Sequence, residues 1–232
     1  MQRAYLIPAY QASRSLEQVL RDLRALDPEG ALLVVDDGST DGSGDIARAA
    51  GIDVVTHDQN LGKGRALKTG FAWLAERGFE TAVTVDADGQ HRAEDAVMLA
   101  KHSAPGNAIV LGVRNMKRDG APGASQFSNR FSNWWVSRFA GQELSDTQCG
   151  LRRYPLLATL ALGSDARGYG FECDMLVRAA RRGIPIVEVP VRVIYPPKSE
   201  RVSHFHVVSD PTRIVLRLVH TALTVKRTAK AP

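Results

Sequence analysis

The chain reads as an α/β protein, with a doubly wound, mostly parallel central sheet followed by a helical extension at the C-terminus. Short apolar runs alternate with stretches of helical spacing over residues 4–113, the pattern of strands joined by right-handed helical crossovers. One run, ALLVVDD (31–37), is apolar without a break until its acids, as suits a strand buried on both faces of a parallel sheet. Polar residues collect where the runs end, at Asp36, Asp37, Asp86, Asp88 and Arg114. Ligands of such sheets sit beyond the carboxyl ends of the strands.

Residues 4–7 form a short first strand leading into Pro8-Ala9-Tyr10. Leu16, Val19, Leu20 and Leu23 fall at helical spacing and predict a helix over about 14–26. After the strand at 31–37, Thr40 or Asp41 can cap a helix over about 42–50, which Gly51 ends. IDVVTH is a short strand, a glycine-punctuated turn covers 60–64, and a helix follows over about 65–77. TAVTVD (81–86) is the next strand, then a helix near 92–103 and the strand AIVLGV. NMKRDGAPGAS (115–125) reads as a loop rich in glycine and charge. FSNRFSNWWVSRFA (127–140) reads as an amphipathic helix bearing Phe131, Trp134, Trp135 and Phe139, with the tryptophan pair assigned to core packing. A helix is expected over 171–182 and an extended segment over 184–195, where Pro190 suggests a sheet edge or a bulge. PPKSERVSHFH (196–206) looks irregular. Residues 207–226 carry Val208, Ile214, Val215, Leu218, Val219 and Leu223 on a helical pattern, interspersed with basic residues. The chain thus divides into a main domain, 1–206, and an amphipathic helix with a basic tail, 207–232. That helix can cover the core or lie on a membrane surface.

The segment TAVTVDADGQH (81–91) carries the strongest chemical signal: an alternating apolar run ends in Asp86 and Asp88, then a glycine turn. On a strand, side chains at i and i+2 share a face, so the two carboxylates can aim at one point. Two hard oxygen ligands suit a divalent cation such as Mg²⁺ or Mn²⁺ carrying phosphate. An acidic turn is the alternative for an isolated Asp-x-Asp. VVDDGSTDGS (34–43) places adjacent acids before a small-residue turn, where a carboxylate can accept hydrogen bonds from a nucleobase edge or simply hold the turn. Neither GxGxxG after the first strand nor GxxxxGK[ST] anywhere is present. NLGKGRALKTG (60–70) could still place Lys63 or Arg65 against a nucleotide.

Composition narrows the partners. The 232 residues are 44% apolar and 24% charged, ordinary for a globular protein. A net charge of +5 suits an anionic partner, but few aromatics are interleaved with the basic clusters, so nucleic acid is not expected. Cys149 and Cys173 have neither metal-ligand spacing nor disulfide-scaffold density, pointing to reduced thiols in a cytoplasmic protein. The start has too short an apolar run for a signal peptide, and no stretch approaches the ~20 apolar residues of a membrane span.

PAYQ near the start, VVDDGSTDGS, NLGKGRALKTGF, VDADGQH and SDTQCGLRRY occur in the order seen in family 2 glycosyltransferases. The chain resembles the dolichyl- or polyprenyl-phosphate mannosyltransferase branch of that family over about residues 4–205. The resemblance implies a GT-A fold, a nucleotide-sugar donor (GDP-mannose or a UDP-sugar), Mg²⁺ or Mn²⁺, and inversion at the anomeric carbon. Carried over by position, Pro8, Ala9, Tyr10 and Asp37 line the base and ribose pocket, with Asp36 in support and Lys63 nearby. Asp86, Ala87 and Asp88 form the metal and diphosphate motif, with Gln90 a further metal ligand. Asp88 and Asp146 are the catalytic candidates, Asp146 standing on the acceptor side as a general base or an orienting group.

Glu172 and Asp174 in GFECD match an acidic pair near the acceptor pocket, or else serve as charges favoured at a helix start. Arg114, Arg130, Lys198, Arg201 and Ser203 make up a phosphate grip, for which arginine's planar fork is suited. The late motif reads ERVSHF, which departs from the Arg-x-Gly-Glu-Ser-Lys type and leaves the acceptor less defined than the transferase class. His204 and His206 read as loop histidines. The implied acceptor is polyprenyl phosphate at the cytoplasmic face of a membrane, where the enzyme would be peripheral. The alternative acceptor is a hydroxyl on a glycolipid or another membrane-associated molecule.

Overall fold

A computed structural model of the chain describes residues 3–166, 168, 170–195 and 209–226. Seven strands form one sheet in the order β3-β2-β1-β4-β6-β5-β7. These are β1 (Ala4–Ala9), β2 (Ala31–Asp36), β3 (Asp53–Thr56), β4 (Thr81–Thr84), β5 (Ile109–Arg114), β6 (Arg152–Pro155) and β7 (Ile186–Val191). The helices are α1 (Leu16–Leu26), α2 (Ser43–Ala49), α3 (Lys63–Glu76), α4 (Ala93–Ala100), α5 (Gly123–Ala140), α6 (Leu156–Ala161), α7 (Gly170–Arg181) and α8 (Ser209–Thr224). β1 pairs in parallel with β2 and β4, β2 with β3, and β5 with β7, while β6 runs antiparallel between β4 and β5. The sheet is therefore mostly parallel, as the alternating pattern predicts.

One core lies on each face. Leu6, Leu33, Val35, Leu67, Phe71 and Leu74 belong to the core that α3, α5 and α7 cover. Ile7, Leu16, Leu20, Leu23, Val34 and Leu99 belong to the other, under α1 and α4. Burial on both faces explains why β2 is apolar at every position rather than alternating. Pro190 lies in β7, an edge strand, where a missing N–H is tolerated.

Four expectations need correction. β4 stops at Thr84, so Asp86 and Asp88 lie in the turn beyond the strand and not at pleated i, i+2 positions. β6 and α6 were not expected. RRYP looks unlike a central strand, yet Arg152 and Arg153 are buried because backbone carbonyls receive their guanidinium protons. Gly42, and neither Thr40 nor Asp41, takes the cap position of α2, although Asp41 Oδ1 accepts from the Ser43 N–H and hydroxyl at 3.0 and 2.6 Å. Finally, α5 begins at Gly123 and turns polar Asn129 and Ser132 inward. Its tryptophans part company: Trp135 packs against the core, while Trp134 is exposed.

Candidate active site

The parallel strands β1, β2, β4 and β5 deliver their carboxyl ends to one cleft. Pro8 and Ala9 close β1, and Asp37 N–H bonds the Ala9 carbonyl at 2.8 Å. The following residues are laced to the β2–α2 turn. Gln11 takes a left-handed backbone (φ 52°), and its side chain pairs with Thr40 through both its amide nitrogen and oxygen, at 3.1 and 3.0 Å. Ala12 N–H donates to Ser43 Oγ at 2.9 Å. Tyr10 is thereby held, partly exposed, at the cleft.

Asp36 and Asp37 hold the turn, one of the two roles open to them in the sequence. Both are buried, and Asp36 accepts the Ser39 N–H at 3.0 Å across the turn. Asp37 takes His57 Nδ1 at 2.6 Å, Leu61 N–H at 3.0 Å and Gly62 N–H at 2.7 Å. Through these three contacts Asp37 fixes the course of residues 57–62. At Gly38 (φ +75°) a Cβ would sit 2.5 Å from the Gln59 carbonyl carbon, so only glycine lets these two loops touch.

That course delivers Lys63. Its Nζ lies 2.6 Å from Asp86 Oδ1 and 3.2 Å from Glu172 Oε1, and His91 Nε2 is 3.8 Å from Asp86 Oδ2. Against the penalty of burial, the Lys63 ammonium holds Asp86 below the usual carboxylate range. Loss of hydration in the cleft, followed by the charge of Asp86, raises Asp88 to about 6. Burial pushes His91 down to about 4, so it is neutral at pH 7. Gly150 passes directly beneath Asp86, where a Cβ would meet Oδ2 at 2.4 Å. Ser15 Oγ donates to the Ala87 carbonyl at 2.6 Å, and Gln90 N–H caps Asp88 Oδ1 at 2.9 Å. The Gln90 carbonyl in turn receives Ile194 N–H beyond β7.

These residues fit a divalent cation of the Mg²⁺ or Mn²⁺ type. Asp86 and Asp88 offer hard oxygens, and beyond the effect of burial the charge of Asp86 adds to the rise at Asp88, a repulsion that a cation would offset. Among the described residues no three His, Cys, Asp or Glu side chains form a metal cage. A cation there would draw further oxygens from Gln90 and from a ligand's phosphates, the habit of Mg²⁺ sites.

On the other side of the cleft Asp146 is 1% exposed. Arg114 grips it through Nε at 2.6 Å, Nη2 at 2.9 Å and its own N–H at 3.1 Å, and Asn129 Nδ2 adds a bond of 2.6 Å. Despite burial, the Arg114 bond keeps its pKa below the usual range. Asn133 Nδ2 bonds Asn129 and the Ser145 carbonyl, and its Oδ1 accepts from Thr147. Arg152, wholly buried, donates to the Cys149, Thr147 and Glu172 carbonyls and so ties the 147–150 loop to α7. Beside this network Arg114, Lys117, Arg118 and Arg130 line a cavity of about 440 Å³.

Glu172 and Asp174 separate. Two residues apart on a helix point nearly opposite ways, so Glu172 faces Lys63 while Asp174 faces α8. Asp174 is buried and bonded to Ser164, Arg178, Arg217 and Thr221, and is no part of an acceptor pocket. Lys198, Arg201, Ser203, His204 and His206 lie outside the described residues. Sequence reasoning missed Gln11, Ser15, Asn129, Asn133 and Arg152. The only sequence signal for the asparagines is their i, i+4 spacing beside aromatics.

Comparison with known proteins agrees with this geometry. Residues 5–153 match the domain described as Glycosyl transferase family 2. The undecaprenyl-phosphate mannosyltransferase of Micrococcus luteus is 36% identical over 205 residues, covering 82% of each chain. The polyprenol monophosphomannose synthase of Mycolicibacterium smegmatis is 31% identical over 203 residues, covering 80% of this chain and 75% of that one. Among solved structures, glucosyl-3-phosphoglycerate synthase from Mycobacterium tuberculosis, in complex with Mn²⁺, uridine diphosphate and phosphoglyceric acid, superposes with a TM-score of 0.70. It is 18% identical and covers 95% of this chain and 78% of that one, a likeness of fold. With the GT-A fold, the ordered motifs and the acidic cleft in place, the chain belongs to the family 2 glycosyltransferases.

Proposed function

We propose that this enzyme transfers a hexose, with inversion, from a nucleotide sugar to the phosphate of a polyprenyl phosphate. The donor would be GDP-mannose or a UDP-sugar. Mannose comes first because the similar enzymes above are named for mannose transfer. Pro8, Ala9 and Tyr10 would border the nucleoside, and Asp86, Asp88 and Gln90 would hold a divalent cation. When bound, that cation neutralises charge growing on the departing diphosphate.

One observation carries the acceptor assignment: Arg114 and Arg130 line a single cavity beside an Asp146 whose oxygens are already engaged. A hydroxyl acceptor would need a base to remove its proton. Asp146 is poorly placed for that, because Arg114 and Asn129 occupy it and its pKa is held down. A phosphate monoester is already ionised at neutral pH and needs only to be gripped and aimed. Its oxygen would attack the anomeric carbon opposite the diphosphate. The bond from that carbon to the diphosphate oxygen breaks, and its electron pair leaves with the nucleoside diphosphate. In this scheme Asp146 orients Arg114. Among the described residues no helix is long and apolar enough to cross a membrane.

The test is transfer of labelled mannose from GDP-mannose to undecaprenyl phosphate with Mn²⁺, UDP-sugars being assayed in parallel. Asp88→Asn should lower the rate about 10²–10³-fold while far-UV circular dichroism stays native. Undiminished transfer by that variant, or by wild type under chelation, would overturn the scheme. Transfer only to hydroxyl acceptors would overturn the phosphate assignment.

A further inference from the structure

We infer that Asn129 and Asn133 of α5 are positioning residues for the acceptor phosphate: Asn133 fixes the sense of the Asn129 amide, Asn129 fixes Asp146, and Asp146 aims Arg114. Gln126, Asn129, Arg130 and Asn133 follow one another at helical spacing, and all of them line the cavity that Arg114 also lines. A polar stripe turned into the protein must find its partners there, because a buried amide without them is costly. The Asn129 and Asn133 amides find theirs on each other and on residues 145–147, the loop that carries Asp146.

Donors and acceptors admit a single arrangement of these amides. The Thr147 N–H can only donate, so the atom it meets at 2.8 Å is Asn133 Oδ1, and the Thr147 hydroxyl adds a bond there at 2.9 Å. The Ser145 carbonyl can only accept, which sets Asn133 Nδ2 on that side at 2.5 Å. Backbone groups thus fix Asn133 at both ends. Its remaining Nδ2 proton goes to Asn129 at 2.6 Å, which must answer with Oδ1. That leaves Asn129 Nδ2 for Asp146 Oδ1, at 2.6 Å. A reversed Asn129 would set oxygen against the carboxylate and nitrogen against nitrogen. Thr147 follows Asp146 in the chain, so the carboxylate is clamped between α5 and its own loop. Arg114 meets it with Nε and Nη2 and keeps both Nη1 protons for a ligand. A planar guanidinium held along one edge can present its other edge in one direction only. The sense of Asn133 therefore decides where Arg114 meets a phosphate. That a phosphate comes to Arg114 rests on the prenyl-phosphate reading above; the relay of bonds does not.

The experiment compares the full chain with Asn129→Ala, Asn133→Ala and the double variant. Transfer from GDP-mannose to water-soluble geranyl phosphate, with Mn²⁺, gives KM for each substrate. Either single variant should raise KM for geranyl phosphate about tenfold or more and leave KM for GDP-mannose within about twofold of wild type. The double variant should match Asn129→Ala, because Asn133 acts through Asn129. In the protein without donor or acceptor, exchange of the Arg114 Nε–H with solvent, read by nitrogen-15 NMR, should be at least about tenfold faster in each variant than in wild type. Asn133→Asp keeps the volume and the acceptor for Thr147 and withdraws only the donor, so it stands in where Asn133→Ala does not fold. Effects on KM for geranyl phosphate that add in the double variant overturn the inference. So do equal rises in both KM values, the mark of a general distortion, and an Arg114 proton that exchanges as in wild type. If wild type glycosylates no geranyl phosphate while Arg114 exchange accelerates in the variants, the relay stands and the acceptor reading fails.

Discussion

At the start of α3, Lys63 reaches two carboxylates that would otherwise repel each other across the cleft, Asp86 from the β4 turn and Glu172 from α7. The residue that places it is Asp37, through the Gly62 N–H one position earlier, so the two acidic motifs are mechanically one site. A lysine methylene chain with a methyl-thioether end, as in Lys63→Met, keeps the volume and removes the charge. Asp86 and Glu172 would then face each other uncompensated, and the variant should be less stable by about 3 kcal/mol. Mn²⁺ should raise its melting temperature more than that of wild type, because an added cation restores what the ammonium supplied. Thermal unfolding with and without Mn²⁺ reads both effects. Equal melting temperatures and equal Mn²⁺ shifts would show that Lys63 plays no part in balancing the acids.

Among elements, the clearest fastening joins the end of α1 to the start of β1. Asp27 receives Arg3 Nε and Nη2 and the buried Tyr5 hydroxyl, each at 2.7 Å. The Arg3 bond holds the Asp27 carboxyl below its ordinary value. A depressed carboxyl pKa contributes stability that is fully present above the unfolded value, about 3.9, and is lost as pH falls through the folded one. Asp27→Asn should therefore cost about 2 kcal/mol at neutral pH. The gap from wild type should close below about pH 4. Urea unfolding across pH measures this, and a gap that persists unchanged at low pH would rule out the ionised pair as its source. Neither partner was singled out in the sequence, since a pair 24 residues apart leaves no local pattern. The elements that were legible, β1 to β5, β7, α1 to α5, α7 and α8, advertise themselves by apolar runs or apolar period. β6 does not, because Arg152 satisfies its buried guanidinium on the Thr147 and Cys149 carbonyls of the preceding loop and on the Glu172 carbonyl of α7, partners that no apolar pattern announces. The site was legible to the extent that Asp86, Asp88 and Lys63 meet. The inward turn of Asp37 and the opposed directions of Glu172 and Asp174 depend on backbone paths that motif order does not contain.

For the whole molecule, the question is how firmly α8 belongs to the rest. The sequence places a boundary at 206/207, yet Leu218 lies in the core beside α5 and α7. The polar joint is Asp174 on α7, which receives Arg217 and Thr221 from α8 together with Ser164 and Arg178 from its own side. Arg217 also pairs with Asp165 in the loop before α7. Removing Arg217 leaves Asp174 partnered by Ser164, Arg178 and Thr221, so the α7 side should hold. What weakens is the grip on α8, by about 1.5–3 kcal/mol for bonds to a charged group. In Arg217→Met, amides of α8 should then exchange with solvent at least about tenfold faster, while those of β1 and β2 keep wild-type protection. Hydrogen exchange read by peptide separates the cases. Uniform acceleration across the sheet would mean that α8 and the sheet open as one cooperative unit, and that the boundary at 206/207 has no energetic counterpart. Local acceleration would mean that the helix can shift against the cleft without unfolding it, through the joint Asp174 makes two residues along α7 from Glu172.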